Sequence, residues 1–189
     1  MRTRNPGSRV GIGVGRVAFL PALALLLGGT VFAGLPQKKG RELSLDPRAV
    51  TVGNIKQVGL ALLMYATDYD DVYPWAQNTL TVKGVTYPYV MNRSVWRTHN
   101  PSGGEFLFNL SIGGVEFSTI PRPAKTVAFH ESKPWPDSKR CVGYADGSAR
   151  VVDAPTWASD SKSLLLKLKR KAKRPLPANW GKQFLPPGG

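Results

Sequence analysis

Three acidic residues in the second half of the chain, Glu131, Asp137 and Asp146, are the first candidates for a metal site. Carboxylate oxygens suit a hard cation such as calcium, which binds through several oxygen ligands. Their spacing matches no EF-hand loop, and an Asp followed by Gly is also what a tight turn requires. The sequence therefore favours a turn at Asp146-Gly147 over a calcium site, and it predicts no metal ligand and no cofactor.

Two histidines and two nearby serines could supply acid–base or nucleophilic chemistry. These residues are His99, His130, Ser102 and Ser132. An enzyme would need a nucleophile beside its base, or a pocket that brings His130 and an acid together. The sequence contains no nucleophile-elbow motif, no paired carboxylates and no histidine-rich segment. We therefore predict no catalytic residue and expect a protein that is not an enzyme.

Aromatic side chains are concentrated over a short stretch after the first third of the chain, at Tyr73, Trp75, Tyr87, Tyr89 and Trp96. Such a concentration can form a stacking surface for sugars or bases. More often, aromatic residues of this kind cap the core of a small sheet domain. The sequence favours the second interpretation.

The formal net charge of +14 lies at the two ends of the chain. Residues 1–42 carry 7 basic and 1 acidic side chains, residues 43–161 carry 11 of each, and residues 162–189 carry 8 basic and no acidic ones. The central part is therefore neutral, which argues against a basic groove that runs across the whole protein.

The last part of the chain, residues 154–189, is predicted to be a basic tail rich in Pro and Gly. A serine, Ser159, Ser161 or Ser163, could cap a short helix that carries four leucines and six closely spaced basic residues. This helix should end before Pro175, and the residues after it are predicted to be disordered. The tail either binds an anionic lipid, a cell-wall polymer or a nucleic acid, or keeps an exposed end soluble.

An uncharged apolar run, residues 17–36, follows four N-terminal arginines. About 20 such residues can cross a bilayer as a helix, which would give a single-pass inner-membrane protein whose domain faces the periplasm or the exterior. Residues 17–27 also resemble the apolar part of a signal peptide, with a small-residue pattern that places cleavage between Ala33 and Gly34. The run is thus either a membrane anchor or the leader of a secreted protein, and residues 37–46 form a polar linker.

A periodic stretch, residues 51–71, predicts the helix against which the remaining elements pack. Six apolar residues recur at the spacing that places them on one helical face: Ile55, Val58, Leu62, Tyr65, Ala66 and Tyr69. Asp46 and Pro47 can form the helix start, so the helix can begin several residues before this stretch. Three acids and then Pro74 mark its far end.

The rest of the central part predicts an antiparallel sheet of four or five strands. Residues 82–85 look like a tight turn between short extended pieces. Phe106, Phe108, Leu110 and Ile112 alternate as one strand face, and Val127 and Phe129 share a face of a later strand. Asp146-Gly147, between Val142-Gly143-Tyr144 and Ala149-Arg150-Val151, is the strongest hairpin signal in the chain.

The stretch NIKQVGLALLMYATDYDDVYP, residues 54–74, resembles the segment after the membrane helix in bacterial prepilin-like proteins. The likeness is carried by Asn54, Lys56, Gln57, Tyr65, Asp68, Tyr69 and Pro74. Further along, YPYVMN at residues 87–92 and ADGSARV around Asp146 and Gly147 resemble later elements of the same domain. The resemblance covers about residues 51 to 153.

This resemblance implies an α+β, pilin-like fold over residues 47–153, in which the long helix packs on a small antiparallel sheet. It also implies a cell-envelope protein related to pseudopilins of type II secretion or type IV pilus systems, with the membrane and other pilin-like subunits as partners. One feature departs from the family, because no Glu occurs between residues 1 and 40 to form the usual processing and assembly site. An anchored or secreted binding module, or a nucleic-acid binder that uses the basic tail, is the alternative.

Overall fold

A long helix, α1 (Pro47–Asp68), begins the part of the chain that the computed structural model describes, residues 45–178 and 180. The Asp46 side chain caps this helix by accepting a hydrogen bond of 3.0 Å from the backbone N–H of Arg48. Asp70 and Asp71, with φ angles of 57° and 59°, turn the chain away from the helix. Both predicted ends of the helix are confirmed. The apolar run at residues 17–36 and the cleavage residues Ala33 and Gly34 lie outside the described residues.

One face of α1 is buried, as the periodicity predicts for Ile55, Val58, Leu62, Tyr65 and Ala66. The prediction is wrong for Tyr69, which is 54% exposed. Tyr69 is the C-cap, and its backbone is no longer helical. The helical period therefore does not direct its side chain to the core. By length and composition, α1 is also the one helix of the described residues that could cross a membrane, although half of that stretch is buried inside the domain.

Four short strands form an antiparallel sheet in the order β1 (Phe106–Phe108), β2 (Val127–Glu131), β3 (Arg140–Tyr144) and β4 (Ala149–Val152). Each strand pairs with the next in the chain, so the sheet is a simple meander. The hairpin predicted at Asp146-Gly147 joins β3 to β4, and Gly147 takes the positive φ of 79° that such a turn needs. The α+β class is therefore confirmed.

The two faces of the sheet are covered by different helices. The larger core lies between the sheet and α1, and it includes Phe106, Phe129 and Cys141. On the other face, Val127, Val142 and their neighbours form a small cluster with Trp157. Val127 and Phe129 thus lie on opposite faces rather than on one, because a register shift in β2 between these two residues interrupts the alternation.

A second helix, α2 (Thr79–Val90), replaces the turn predicted at residues 82–85. Asn78 caps it by accepting a 2.8 Å hydrogen bond from the backbone N–H of Thr81. Val82 and Val85 are buried by this helix. Local preference for extended structure in a Val- and Gly-rich segment is therefore overridden by burial of one helical face.

The strand face predicted from Phe106 to Ile112 ends early. Only Phe106–Phe108 pairs with β2, and Leu110–Ile112 forms a single 3₁₀ turn. The side chain of Asn109 starts this turn by accepting a 2.9 Å hydrogen bond from the backbone N–H of Ser111. Leu110 points away from the core and is 42% exposed.

The C-terminal segment begins with α3 (Ala154–Asp160) and continues through the 3₁₀ helix Ser161–Leu165. Asp153, not a serine, caps α3. Residues 166–171 have no regular secondary structure and residues 172–174 form a bend, so the predicted basic helix that ends before Pro175 is wrong. We call residues 166–178 the basic strap. The remaining 3₁₀ turns are Arg93–Trp96, Phe117–Thr119 and Pro123–Lys125.

Candidate functional site

The basic strap is held on the domain by hydrogen bonds to two loops. The backbone N–H groups of Lys171 and Ala172 donate to the Gly114 carbonyl at 2.8 and 3.1 Å. The Leu176 N–H donates to the Trp75 carbonyl at 2.7 Å, and Ala178 accepts from the Thr81 hydroxyl at 3.0 Å. Residues 175–178 are therefore ordered against the domain, contrary to the prediction of disorder after Pro175.

Side chains alternate where the strap begins. Leu164, Leu166 and Leu168 are partly buried, and Leu168 packs on the larger core. The residue that follows each of them, Leu165, Lys167 or Lys169, is exposed. This two-residue period is typical of an extended segment that lies on a surface, and it places Leu166 and Leu168 inward and Lys167 and Lys169 outward.

Aromatic rings from the end of α1 and from the loop that follows it line one side of a groove next to the strap. The rings of Tyr65 and Tyr69 are stacked, with 4.3 Å between centroids and 17° between planes. Burial and the neighbouring Tyr69 raise the pKa of Tyr65 to about 12, so its hydroxyl stays neutral at physiological pH. The Arg170 guanidinium lies 4.8 Å from the Trp75 ring centroid, which joins the strap to the aromatic side.

The aromatic–basic groove is the space of about 440 Å³ between these rings and the strap. It is lined by Tyr65, Tyr69, Asp70, Val72, Tyr73 and Trp75 on one side and by Lys171, Ala172, Lys173, Arg174 and Leu176 on the other. Lys171 Nζ lies 3.3 Å from a Glu116 carboxylate oxygen and donates to the Asp70 carbonyl at 3.2 Å. Lys173 and Arg174 are exposed, and Asp70 is the one acid that lines the groove.

The three carboxylates considered for calcium each have a different role. Glu131 is fully buried, and one of its oxygens accepts hydrogen bonds of 2.8 Å from the Trp135 indole N–H and from the Cys141 backbone N–H. The Thr98 hydroxyl donates to its other oxygen. Asp137 is paired with Arg48 at 2.9 Å. Asp146 accepts from the Ser148 N–H within the hairpin turn.

No group of three or more His, Cys, Asp or Glu side chains that could hold a metal ion occurs in the described part of the chain. Glu131 instead organises the core under α1, because it satisfies three donors from three separate segments. Its environment is that of a structural buried carboxylate.

The candidate acid–base residues are dispersed. His130 lies on the α3 side of the sheet, with its ring centroid 5.0 Å from that of Trp157 and Nδ1 2.9 Å from the Glu131 carbonyl oxygen. Burial lowers the pKa of His130. His130 and Glu105 line one open cavity of about 580 Å³, but within the described residues no hydrogen bond or ion pair joins these two side chains. His99 is exposed.

The two candidate serines make different contacts, one through its backbone N–H and the other through its hydroxyl. The Ser102 N–H donates to the Asn100 side chain, and the Ser132 hydroxyl accepts from the Glu105 N–H. Neither serine hydrogen-bonds a histidine in the part of the chain that the structure describes. Within the described residues, neither of these two serines is therefore placed beside a histidine base.

The residues that carry the prepilin-like resemblance support the contact between α1, the loops and the hairpin. Asn54 is buried and donates to the Arg97 carbonyl at 3.0 Å, and Asp68 accepts from the Tyr89 hydroxyl at 2.7 Å. Pro74 and Gly147 are buried. Lys56 and Gln57 are exposed on α1.

Glycines allow α1 to approach the sheet closely. A Cβ at Gly59 in α1 would lie 3.4 Å from the Cα of Gly147 in the hairpin. A Cβ at Gly143 in β3 would lie 2.6 Å from Ile55 Cγ2. The Asp-Gly turn and the Gly of the helix motif thus belong to one packing contact.

The aromatic concentration divides between two roles. Tyr73 and Trp96 are buried in the core, as the favoured interpretation predicts, and Trp96 packs edge-on to Phe129 at 5.6 Å. Trp75 is partly exposed and lines the groove instead. The groove could not be predicted from the sequence because its basic side is about a hundred positions from its aromatic side. The Leu and Lys alternation at residues 166–169 is the one local signal for an extended strap on the surface.

Comparison of the chain with protein-family models, with curated proteins and with solved structures gave no match.

Proposed function

We propose that this chain is a non-enzymatic, pilin-like protein of the cell envelope, in which residues 17–36 hold the described domain at the membrane. The domain would face the periplasm or the exterior. A display or binding role agrees with the described residues, in which neither candidate serine is hydrogen-bonded to a histidine.

The burial of α1 is the observation that carries this proposal. α1 has the length and composition of a membrane span, but its apolar face already packs on the sheet, with Ile55 and Val58 fully buried. Moving this helix into a bilayer would expose the apolar face of the sheet to water. The apolar run at residues 17–36 is therefore the segment assigned to the membrane.

A pair of matched arginine variants tests the assignment by membrane fractionation of the full-length protein. Leu25→Arg with Leu26→Arg places two charges in the apolar run, and each charge at a helix centre opposes insertion by about 2.5–3.5 kcal/mol. We expect this variant to leave the membrane fraction. Leu60→Arg places a charge on the outer face of α1, at a side chain that is 47% exposed, and should stay in the membrane fraction.

The mass of the N-terminus, measured after expression in a bacterial host, distinguishes an anchor from a cleaved leader. An intact chain in the membrane fraction supports the anchored, pilin-like protein. A soluble product that begins at Gly34 would contradict it and leave a secreted binding domain. Release of Leu60→Arg from the membrane, with retention of the double variant, would instead assign the span to α1.

A further inference from the structure

We propose that the aromatic–basic groove binds single-stranded nucleic acid, with a base stacked on the Tyr69 ring and backbone phosphates at Lys173 and Arg174. This proposal is independent of the membrane assignment, because it rests only on side chains of the described domain. The proposed pilin-like arrangement does not by itself assign a ligand to this groove.

The first support is an exposed aromatic ring that is held in place from behind. Tyr69 is 54% exposed at the groove, and its inner face is covered by the stacked ring of Tyr65. Tyr65 is itself buried and meets the Tyr89 ring edge-on at 6.4 Å. A ring whose orientation is fixed and whose outer face is open is the feature that stacks an unpaired base.

The second support is the charge on the opposite side. The basic strap, residues 166–178, contains six basic and no acidic residues. Glu116 neutralises Lys171, whereas Lys173 and Arg174 form no ion pair within the described residues. With Asp70 as the one acidic lining residue, the groove carries a net positive charge suited to phosphate.

The pairing of these two sides favours a single strand over other anionic partners. Bases of a duplex are already stacked on one another and cannot reach a protein ring without being unpaired. An anionic membrane surface would be met by cations next to exposed aliphatic side chains, whereas the large apolar side chain that is most exposed in this groove is Tyr69. Proteins that bind single-stranded nucleic acid commonly combine basic residues along the phosphate backbone with aromatic rings on which the bases stack.

The test is fluorescence anisotropy of labelled oligothymidylate with the full-length protein in a non-ionic detergent. Tyr69→Ala should weaken binding about fivefold or more, because one stacked base contributes at least about that factor. Tyr69→Phe keeps the ring and should restore binding. Circular dichroism of each variant verifies that the fold is retained.

A matched pair of charge variants tests the basic side. Lys173→Gln with Arg174→Gln removes two charges from the groove, and Lys56→Gln with Lys133→Gln removes two exposed charges that do not line it. The groove pair should lower the slope of log affinity against log salt by about 1.4, since each lost phosphate contact on a single strand contributes about 0.7. The control pair should change it much less, and the N-terminal arginines are common to both.

Three results would overturn the proposal. One is equal loss of affinity in the groove pair and the control pair, which would mean a diffuse charge effect. Another is duplex DNA binding as tightly as the single strand, with no effect of Tyr69→Ala. The third is displacement of the oligonucleotide by phosphatidylglycerol vesicles whose own binding has the same variant profile, which would assign the groove to a lipid surface.

Discussion

A single methyl group added at Gly143 should destabilise the packing of α1 on the sheet. The added Cβ would lie 2.6 Å from Cγ2 of Ile55, a side chain that is fully buried and cannot move into solvent. Ordinary contacts between such atoms begin near 3.4 Å. We therefore expect Gly143→Ala to lower the free energy of unfolding by about 1–3 kcal/mol, the usual range for an overpacked core.

A Gly→Ala substitution in α1, at Gly53, should change the free energy of unfolding in the opposite direction and serves as the control. A Cβ at Gly53 would have no neighbour within 4 Å, and Ala is favoured over Gly inside a helix by about 1 kcal/mol. Gly53→Ala should therefore raise the free energy of unfolding by about 0.5–1 kcal/mol. Both variants add one methyl group, at a crowded site in β3 for Gly143→Ala and at an open site in α1 for Gly53→Ala.

Thermal unfolding of the full-length protein in detergent, followed by near-ultraviolet circular dichroism, measures both effects. Each kcal/mol corresponds to a shift of about 2–4 °C in the melting temperature of a chain of this size. Combining Gly143→Ala with Ile55→Ala should lose less than the sum of the single variants, because the second change removes the atom that the new methyl meets. A Gly143→Ala protein as stable as the parent, or strict additivity in the double variant, would refute the close approach of α1 to β3.

Three further outcomes follow from the buried polar groups. Glu131→Gln replaces a carboxylate oxygen that accepts from Trp135 and Cys141, or the one that accepts from Thr98, by an amide NH2 that cannot accept. We expect it to lower the free energy of unfolding by about 1–3 kcal/mol. Denaturant melts would show this, and an unchanged midpoint would contradict it. Burial, with Glu131 close by, raises the pKa of Cys141 from 9.0 to about 12. The unfolded chain therefore loses the thiol proton at a lower pH than the folded chain, so the free energy of unfolding should fall as the pH rises from 9. Alkylation of the thiol at pH 8 in the folded protein would contradict the burial of Cys141. Burial lowers the pKa of His130 below 6.5, so the unfolded chain binds more protons in acid than the folded chain does. The free energy of unfolding should therefore fall as the pH drops below 6.5. This dependence on pH should be weaker in His130→Asn, and an unchanged dependence would exclude His130 as its source.

Features with strong local signals could be predicted from the sequence. The start of α1 needs only Asp46 and Pro47, and the hairpin needs only an Asp-Gly pair between alternating strands. Each signal is contained within a few residues and does not depend on what packs against it. These elements agree with the structure for that reason.

Features decided by tertiary contacts were not predicted. Residues 79–90 are rich in β-branched and aromatic residues, and only burial of Val82 and Val85 makes them a helix. The register shift in β2 separates Val127 from Phe129, and nothing in the local alternation indicates an extra residue. In both segments the deciding partner is distant in sequence.

The basic strap shows the same limit at the candidate site. Leucines mixed with lysines suit a helix on local propensity, since both residue types are good helix formers. The Gly114 and Trp75 carbonyls instead accept the strap's N–H groups, which fixes the strap in an extended form. Only this contact brings Lys173 and Arg174 beside Tyr69, so no stretch read alone could have indicated the groove.

The distribution of charge gives this contact a functional meaning. The α1–sheet domain, residues 43–161, has 11 basic and 11 acidic residues, so it has no net attraction for a polyanion. The strap adds cations without placing any of them in the core, because its leucines turn inward and its lysines outward. Replacing strap cations should therefore weaken polyanion binding while leaving the buried contacts of Ile55, Glu131 and Gly143 intact, so binding and stability can be varied separately in this protein.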